Sequence, residues 1–136
     1  MADQDRSRFI QALERAPFSA MLGLKVESAV NGAATVRMPF DLRILNEGGP
    51  RAPIHGGAIA SLIDTAAVTA VWTEPKTQQS ATISMTINYL NPGVSSDLIA
   101  TAKVRKRGRR IASLSVDVVD ESGQLIADSL VIFKVG

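Results

Sequence analysis

The run from Gly56 to Trp72 limits the fold more than any other part of the chain. It reads Gly-Gly-Ala-Ile-Ala-Ser-Leu-Ile-Asp-Thr-Ala-Ala-Val-Thr-Ala-Val-Trp, and its one charge is Asp64. Apolar residues fall on every face of such a segment. It therefore predicts a helix from about Gly56 to Thr73 that is buried nearly all round, with Pro75 ending it. One flat sheet face cannot cover such a helix. Either a sheet curls round it or a second copy of the chain covers the other side. A carboxylate there is costly to desolvate unless it is hydrogen-bonded or lies in a solvated cleft. A plain core helix would carry Ala or Leu at that position, so Asp64 is the first candidate for chemistry. The alternative is a buried carboxylate that caps a backbone group.

The rest of the chain supplies the wrapping. Ser7 to Ala16 reads as a short amphipathic helix with Phe9, Ile10 and Leu13 on one face, stopped by Pro17. Leu24 to Ser28 and Ala34 to Pro39 read as strands joined by Asn31-Gly32, a tight-turn signal. Asp41 to Pro53 is a loop broken by Gly48-Gly49-Pro50 and Ala52-Pro53. After the helix the period changes to two. Thr82 to Leu90 places Ile83, Met85, Ile87 and Tyr89 on one face, and Leu98–Lys106, Ile111–Val119 and Leu125–Val135 follow as further strands of a meander. Strands gathered around one long helix make this an α+β chain with an antiparallel sheet.

Length and composition exclude several classes. A chain of 136 residues makes one domain, residues 1–136, with no linker to divide it. The absence of cysteine rules out disulfides, a thiolate nucleophile and a thiolate metal site, and it fits a reducing cytoplasm. A single histidine forbids a multi-histidine metal site within one chain. The N-terminal Met1-Ala2-Asp3-Gln4-Asp5-Arg6 is polar and carries no signal-peptide core. Asp64 interrupts the longest apolar stretch short of the roughly 20 residues a membrane span needs. The formal charge of +2 does not call for nucleic acid. The basic run Lys103, Arg105, Lys106, Arg107, Arg109 and Arg110 has no aromatics among it on which bases could stack. It is either a solvated turn or a phosphate-binding fork.

His55, Gly56 and Gly57 stand where the helix begins. The first N–H groups of a helix lack intrahelical partners and point out at its positive end. Aimed at a carbonyl oxygen of a ligand, such donors polarise the carbonyl. The two glycines also read simply as a turn where backbone needs room, and the histidine as a polar residue satisfied locally.

With these features in view, the chain resembles the hotdog-fold acyl-CoA thioesterases of the phenylacetate-pathway (PaaI-type) branch. The resemblance covers roughly residues 18–136. It rests on His55-Gly56-Gly57 entering the central helix and on Asp64 downstream, followed by small residues. It rests also on the strand Thr82 to Asn91-Pro92 and on the turns around Val104–Arg110 and Asp120–Ala127. What it implies is an antiparallel sheet wrapped around one central helix. The implied reaction is hydrolysis of acyl-CoA to free acid and CoA without metal or prosthetic group, coenzyme A being part of the substrate. The implied catalytic set is Asp64 as base or nucleophile, Gly56 as N–H donor, His55 orienting the loop or sitting near the leaving sulfur, and Thr82 positioning the carboxylate or water. Gly57, Arg107, Arg109 and Arg110 are the substrate-binding candidates, the arginines for the phosphates of CoA.

The chain departs from the family at one point. The family carries an Asn about six residues before the His, aimed at the thioester carbonyl. Here Gly49 holds that place and the nearest asparagine is Asn46. Asn46 reaches the site only if the extra loop residues bulge outward. Met21, Leu22, Leu45 and Trp72 are candidates for lining an acyl pocket, and no particular acyl group is specified.

His55 and Asp64 are nine positions apart. At about 1.5 Å rise per residue they lie roughly 12–14 Å apart, too far to meet at one carbon. If both act, they come from different chains. The resemblance implies the same: a homodimer that assembles further into a homotetramer, with sheets paired edge to edge and shared sites. Two other readings stay open: a non-catalytic acyl-CoA-binding or regulatory hotdog module, and a hotdog enoyl-CoA hydratase or dehydratase. No membrane or nucleic-acid partner is expected.

Overall fold

A computed structural model describes residues 3–136, with side chains from Arg8 onward; Met1 and Ala2 of the polar N-terminal segment lie outside the described residues. Helix α1 spans Asp3–Arg15, and Phe9, Ile10 and Leu13 form its half-buried face. α1 stops ahead of Pro17, as the chemistry of proline requires, but Pro17 has a second role. It is the first residue of a second helix, α2 (Pro17–Leu22), where its missing N–H is harmless and its fixed φ suits a helix start. Gly23 closes α2 in the left-handed conformation at φ 69°.

The long helix, α3, spans Gly56–Val71. Six strands surround it: β1 (Lys25–Val30), β2 (Ala33–Met38), β3 (Ala81–Tyr89), β4 (Leu98–Arg107), β5 (Ile111–Asp120) and β6 (Leu125–Lys134). Asn31 and Gly32, both at positive φ, form the expected tight turn between β1 and β2. The sheet is antiparallel throughout, in the order β1-β2-β4-β5-β6-β3. The expected four-strand meander is thus a three-strand meander, β4-β5-β6. β3 pairs with β6 at the far edge and not with β4. The reason is α3, which at about 24 Å carries the chain across the sheet before β3 begins.

The sheet wraps α3 in the hotdog arrangement. Leu62, Ile63, Ala66, Ala67, Ala70 and Val71 are fully buried against its concave face. Contacts with β2 and β4 dominate, where Ala34, Ala100 and Ala102 keep the approach close. One chain does not cover the helix all round, however. Gly57, Ala60, Ser61, Asp64, Thr65 and Val68 form a stripe that stays half-exposed or open.

The far end of α3 is tied down by polar bonds. Trp72 packs against the N-terminal helix. Its ring stacks on Phe9 of α1 with centroids 4.1 Å apart, and its Nε1–H donates to Ser80 Oγ at 2.9 Å. Thr73, only 3% exposed, joins the helix end to the β1–β2 turn. Its hydroxyl accepts from the Gly32 N–H at 2.7 Å and donates to the Ala70 carbonyl at 2.7 Å. Thr73→Val keeps the shape and leaves that N–H unpaired. It should cost about 1–3 kcal/mol in urea unfolding at matched protein concentration, whereas an unchanged midpoint would mean water replaces the bond.

Candidate active site

The start of α3 is anchored by backbone bonds on both sides. The Ile54 N–H donates to the Gly93 carbonyl at 2.9 Å and the His55 N–H to the Ile44 carbonyl at 2.8 Å. His55 is the N-cap, with φ −60° and ψ 134°. Its Nδ1 accepts from the Gly57 N–H at 2.8 Å, so in the neutral ring the proton sits on Nε2. A Cβ on Gly57 would stand 2.9 Å from that Nδ1, so only glycine lets the ring fold back. The Gly57 N–H is therefore occupied by His55 and does not point outward as a second donor to substrate. Ala58 and Ile59 donate to the His55 carbonyl. Among the described residues, the Gly56 N–H is the first-turn donor left without a protein acceptor.

Gly56 has its own reason to lack a side chain. Tyr89, at the end of β3, lies over it, and a Cβ there would stand 3.3 Å from Tyr89 Cε1. The Tyr89 hydroxyl donates to the Gly56 carbonyl at 3.0 Å. Sequence reasoning did not place Tyr89 at the site. The available signal was an aromatic as the last helix-facing residue of the strand beside α3.

A cleft of about 310 Å³ opens at this point, and Asn46, Gly56, Ile59, Tyr89 and Pro92 are among its lining residues. Asn46 reaches it because the longer loop does project outward. Leu45 and Ile54 form an antiparallel bridge, and the Asn46 N–H donates to the Pro53 carbonyl at 2.9 Å. Residues 47–52 are thus pinched off as an excursion, and the Ser95 hydroxyl holds it at the Pro50 carbonyl. Gly49 lies out on this excursion at φ 103°, with nothing near it. At the loop's start Asp41 caps a 3-10 turn (Leu42–Ile44), and the Arg43 guanidinium holds its carboxyl down to about 2. Met21 and Leu22 line a separate small hollow beside that turn, with Asp41, Arg43 and Ile44.

Asp64 is half-buried on the open stripe of α3, and Thr82 Oγ1 donates to its Oδ1 at 2.7 Å. This pairing contradicts simple alternation, which puts Thr82 on the opposite face of β3 from Ile83, Met85 and Ile87. A β-bulge between Thr82 and Ser84 inserts the extra residue. Met85, Ile87 and Tyr89 oppose the inward Val131, Ser129 and Ala127, and across the bulge Thr82 opposes the buried Phe133. Ile83 is left 55% exposed, and Thr82 turns toward the helix. Asp64 and Thr82 do not line the cleft at Gly56. Eight positions of helix, about 12 Å, separate the two sets within a chain.

Comparison with known proteins decides the family. The profile of the thioesterase superfamily matches residues 54–127, from the residue before His55 to the middle of β6. The chain belongs to the thioesterase superfamily. It is 32% identical over 109 residues to the acyl-coenzyme A thioesterase PaaI of Escherichia coli, covering 78% of this chain and 73% of that protein. It is 30% identical over 128 residues to human acyl-coenzyme A thioesterase 13, covering 91% and 89%. The solved structure of the E. coli PaaI protein superposes with a TM-score of 0.84 at 25% identity, covering all of this chain and 96% of the other.

The arginines of this thioesterase lie at the other end of α3. Arg107 is half-buried and donates to the Val71 carbonyl at 3.3 Å, where a cation suits the negative end of the helix. Arg107 and Arg109 border an open hollow that also holds Lys76 and Gln78. Arg110 is exposed beside it. No helix among the described residues is long and apolar enough to cross a membrane. The helix start yields a direct test. Gly57→Ala pushes the His55 ring off its cap, and the loss of about 1 kcal/mol should cancel the stability that Gly→Ala otherwise adds within a helix, so that urea unfolding shows no gain. It should also lower thioesterase turnover. A gain in stability with unchanged turnover would show that the ring has another seat.

Proposed function

We propose that this chain is an acyl-CoA thioesterase whose active site is completed by a second copy of itself. The observation that carries the proposal is the division of labour along β3. At one end Tyr89 touches Gly56, and at the other Thr82 holds Asp64. β3 is an edge strand, with Ile83, Tyr89 and Leu90 each about half-exposed or more. A two-fold copy pairing antiparallel along this edge, centred near Met85–Thr86, sets Thr82 of one chain opposite Tyr89 of the other. The free N–H of each Gly56 then faces the Asp64 carboxylate of the neighbouring chain, and the two open stripes of α3 cover each other.

In the proposed reaction the thioester carbonyl oxygen would accept from the Gly56 N–H at the positive end of α3, and Asn46 lines the same cleft. Asp64 of the other chain takes a proton from water, or attacks the carbonyl carbon itself. Its Oδ1 is fixed by Thr82, which leaves Oδ2 for this step. When water attacks, the new C–O bond forms, the C–S bond breaks, and CoA leaves as a thiolate that takes the proton from Asp64. When Asp64 attacks, the acyl anhydride it forms is cleaved by water in a second step, which frees the acid, regenerates the carboxylate and supplies the proton to the thiolate. Gly57 and His55 build the helix start and do not touch the thioester. The resemblance to PaaI and acyl-coenzyme A thioesterase 13 supports acyl-CoA as the substrate class. The arginine cluster supports it too. Arg107 lies at the helix end, seven positions or about 10 Å beyond Asp64. The phosphates of CoA would extend toward Arg109 and Arg110, while Arg107 also caps the helix. A further pairing of dimers into a tetramer belongs to the same proposal.

The test is a panel of acyl-CoA esters with free-thiol detection. Asp64→Asn should keep the fold and lower kcat by about a hundredfold or more on the best substrate; near wild-type turnover sinks the proposal. Refolding Asp64→Asn subunits together with inactive Gly56→Trp subunits should restore activity to about a quarter of wild type. About half of the dimers are then mixed, and each holds one intact site. A dead mixture that contains mixed dimers by native mass spectrometry would place the whole site within one chain. Replacing Arg109 and Arg110 with Ala should raise the KM for acyl-CoA about fivefold and leave that for an acyl-pantetheine unchanged. Equal effects on the two substrates would mean that the cluster is only a solvated turn.

A further inference from the structure

The peptide that joins Gly56 to Gly57 is gripped at both of its polar ends. Its N–H is the Gly57 N–H, donated to His55 Nδ1 at 2.8 Å, and its carbonyl is the Gly56 carbonyl, which accepts from the Tyr89 hydroxyl at 3.0 Å. Gly56 is the first residue of α3, so the helix already orders this turn, and the next peptide back, which carries the free Gly56 N–H, is held at its other end, where the His55 carbonyl accepts from Ala58 and Ile59. Neither glycine has a side chain to stiffen the turn further, and Tyr89 adds a hold from outside the helix. The ring of Tyr89 closes the space over that Cα, with Cε1, Cζ and the hydroxyl at 3.3–3.6 Å from where a Cβ would stand.

We infer that Tyr89 is a positioning residue for hydrolysis: its ring over Gly56 and its hydroxyl on the Gly56 carbonyl hold the first turn of α3 against the end of β3 and so keep the free Gly56 N–H at the cleft wall. The inference rests on the proposed reading of that N–H as the donor to the thioester carbonyl. It gives Tyr89 a role beyond lining the cleft. Since Tyr89 is the last residue of β3, the same bond ties the edge strand to the helix start, and a dimer built along β3 would hold the donor of one chain in register with the carboxylate of the other.

Tyr89→Phe keeps the ring over Gly56 and deletes only the clamp. It should lower kcat about tenfold with KM for acyl-CoA within about twofold. A purely structural role would not discriminate between substrate analogues, and this one does. A ketone analogue of acyl-CoA, with CH2 in place of sulfur, keeps the carbonyl and should bind Tyr89→Phe several-fold more weakly than wild type. A thioether analogue that lacks the carbonyl should bind both equally. Equal losses on the two analogues, or wild-type kcat in Tyr89→Phe, would overturn the inference.

The donor itself is tested separately by comparing Gly56→Pro with Gly56→Ala. Both add a Cβ against the Tyr89 ring, but only proline removes the N–H. Proline is compatible with the first helical position and with the extended ψ of 134° at His55 before it. Gly56→Pro should fall about a hundredfold below Gly56→Ala in kcat. If the two are equal, the reading of the Gly56 N–H fails and the inference about Tyr89 fails with it. If Gly56→Pro is the more impaired and Tyr89→Phe is not, the inference about Tyr89 alone is wrong.

Discussion

The closeness of α3 to the sheet is the constraint on which the other features depend. The sheet curls tightly round this helix because alanines meet where the wrapping is closest, Ala66, Ala67 and Ala70 on the helix and Ala34, Ala100, Ala102 and Ala112 on the strands. Larger side chains would push the sheet out and flatten it. The wrapping brings the end of β3 within reach of the helix start, so that a phenol on the strand can bond a carbonyl of the first turn. It also leaves only one stripe of α3 open, and Asp64 lies on that stripe.

Such a helix has to satisfy its polar side chains locally. Ser61, Thr65 and Thr69 each turn the hydroxyl back to the carbonyl one turn earlier. Asp64 cannot do this, since an ionised carboxylate only accepts. Its bond comes from outside the helix, from Thr82 on β3. The one carboxylate on α3 is thus oriented by the strand that forms the free edge of the sheet. The side chain that orients this carboxylate and the unpaired edge of the sheet share one element, which is the physical ground for proposing a site divided between two copies.

The glycines at the helix start show two distinct requirements within one motif. Gly57 is needed because the imidazole of His55 folds back over it, and Gly56 because the ring of Tyr89 lies on it. Of the two N–H groups, one is consumed in holding the motif together and the other is left over. A helix start built this way leaves a single unpaired donor at the cleft.

Much of this was readable from the residues. A nearly uncharged segment announces a wrapped helix, and its one carboxylate marks a position that needs a polar partner, because neither burial nor a lone charge can be concealed among apolar residues. Asn31-Gly32 announces its turn through the positive φ it requires. His55-Gly56-Gly57 announces a helix start. Three matters were decided only by the tertiary structure. Alternation put Thr82 on the wrong face of β3, and the bulge that reverses it leaves no mark in a one-dimensional period. The pairing of β3 with β6 depends on how far α3 carries the chain, not on the order of strands. The loop that returns Asn46 to the cleft, and the phenol that grips Gly56, join residues separated by seven to thirty-three positions through the bonds Asn46 to Pro53 and Tyr89 to Gly56. Local sequence sets what each segment can be. Which residues meet across the fold is set by packing, and at this site packing selects the one N–H that remains free.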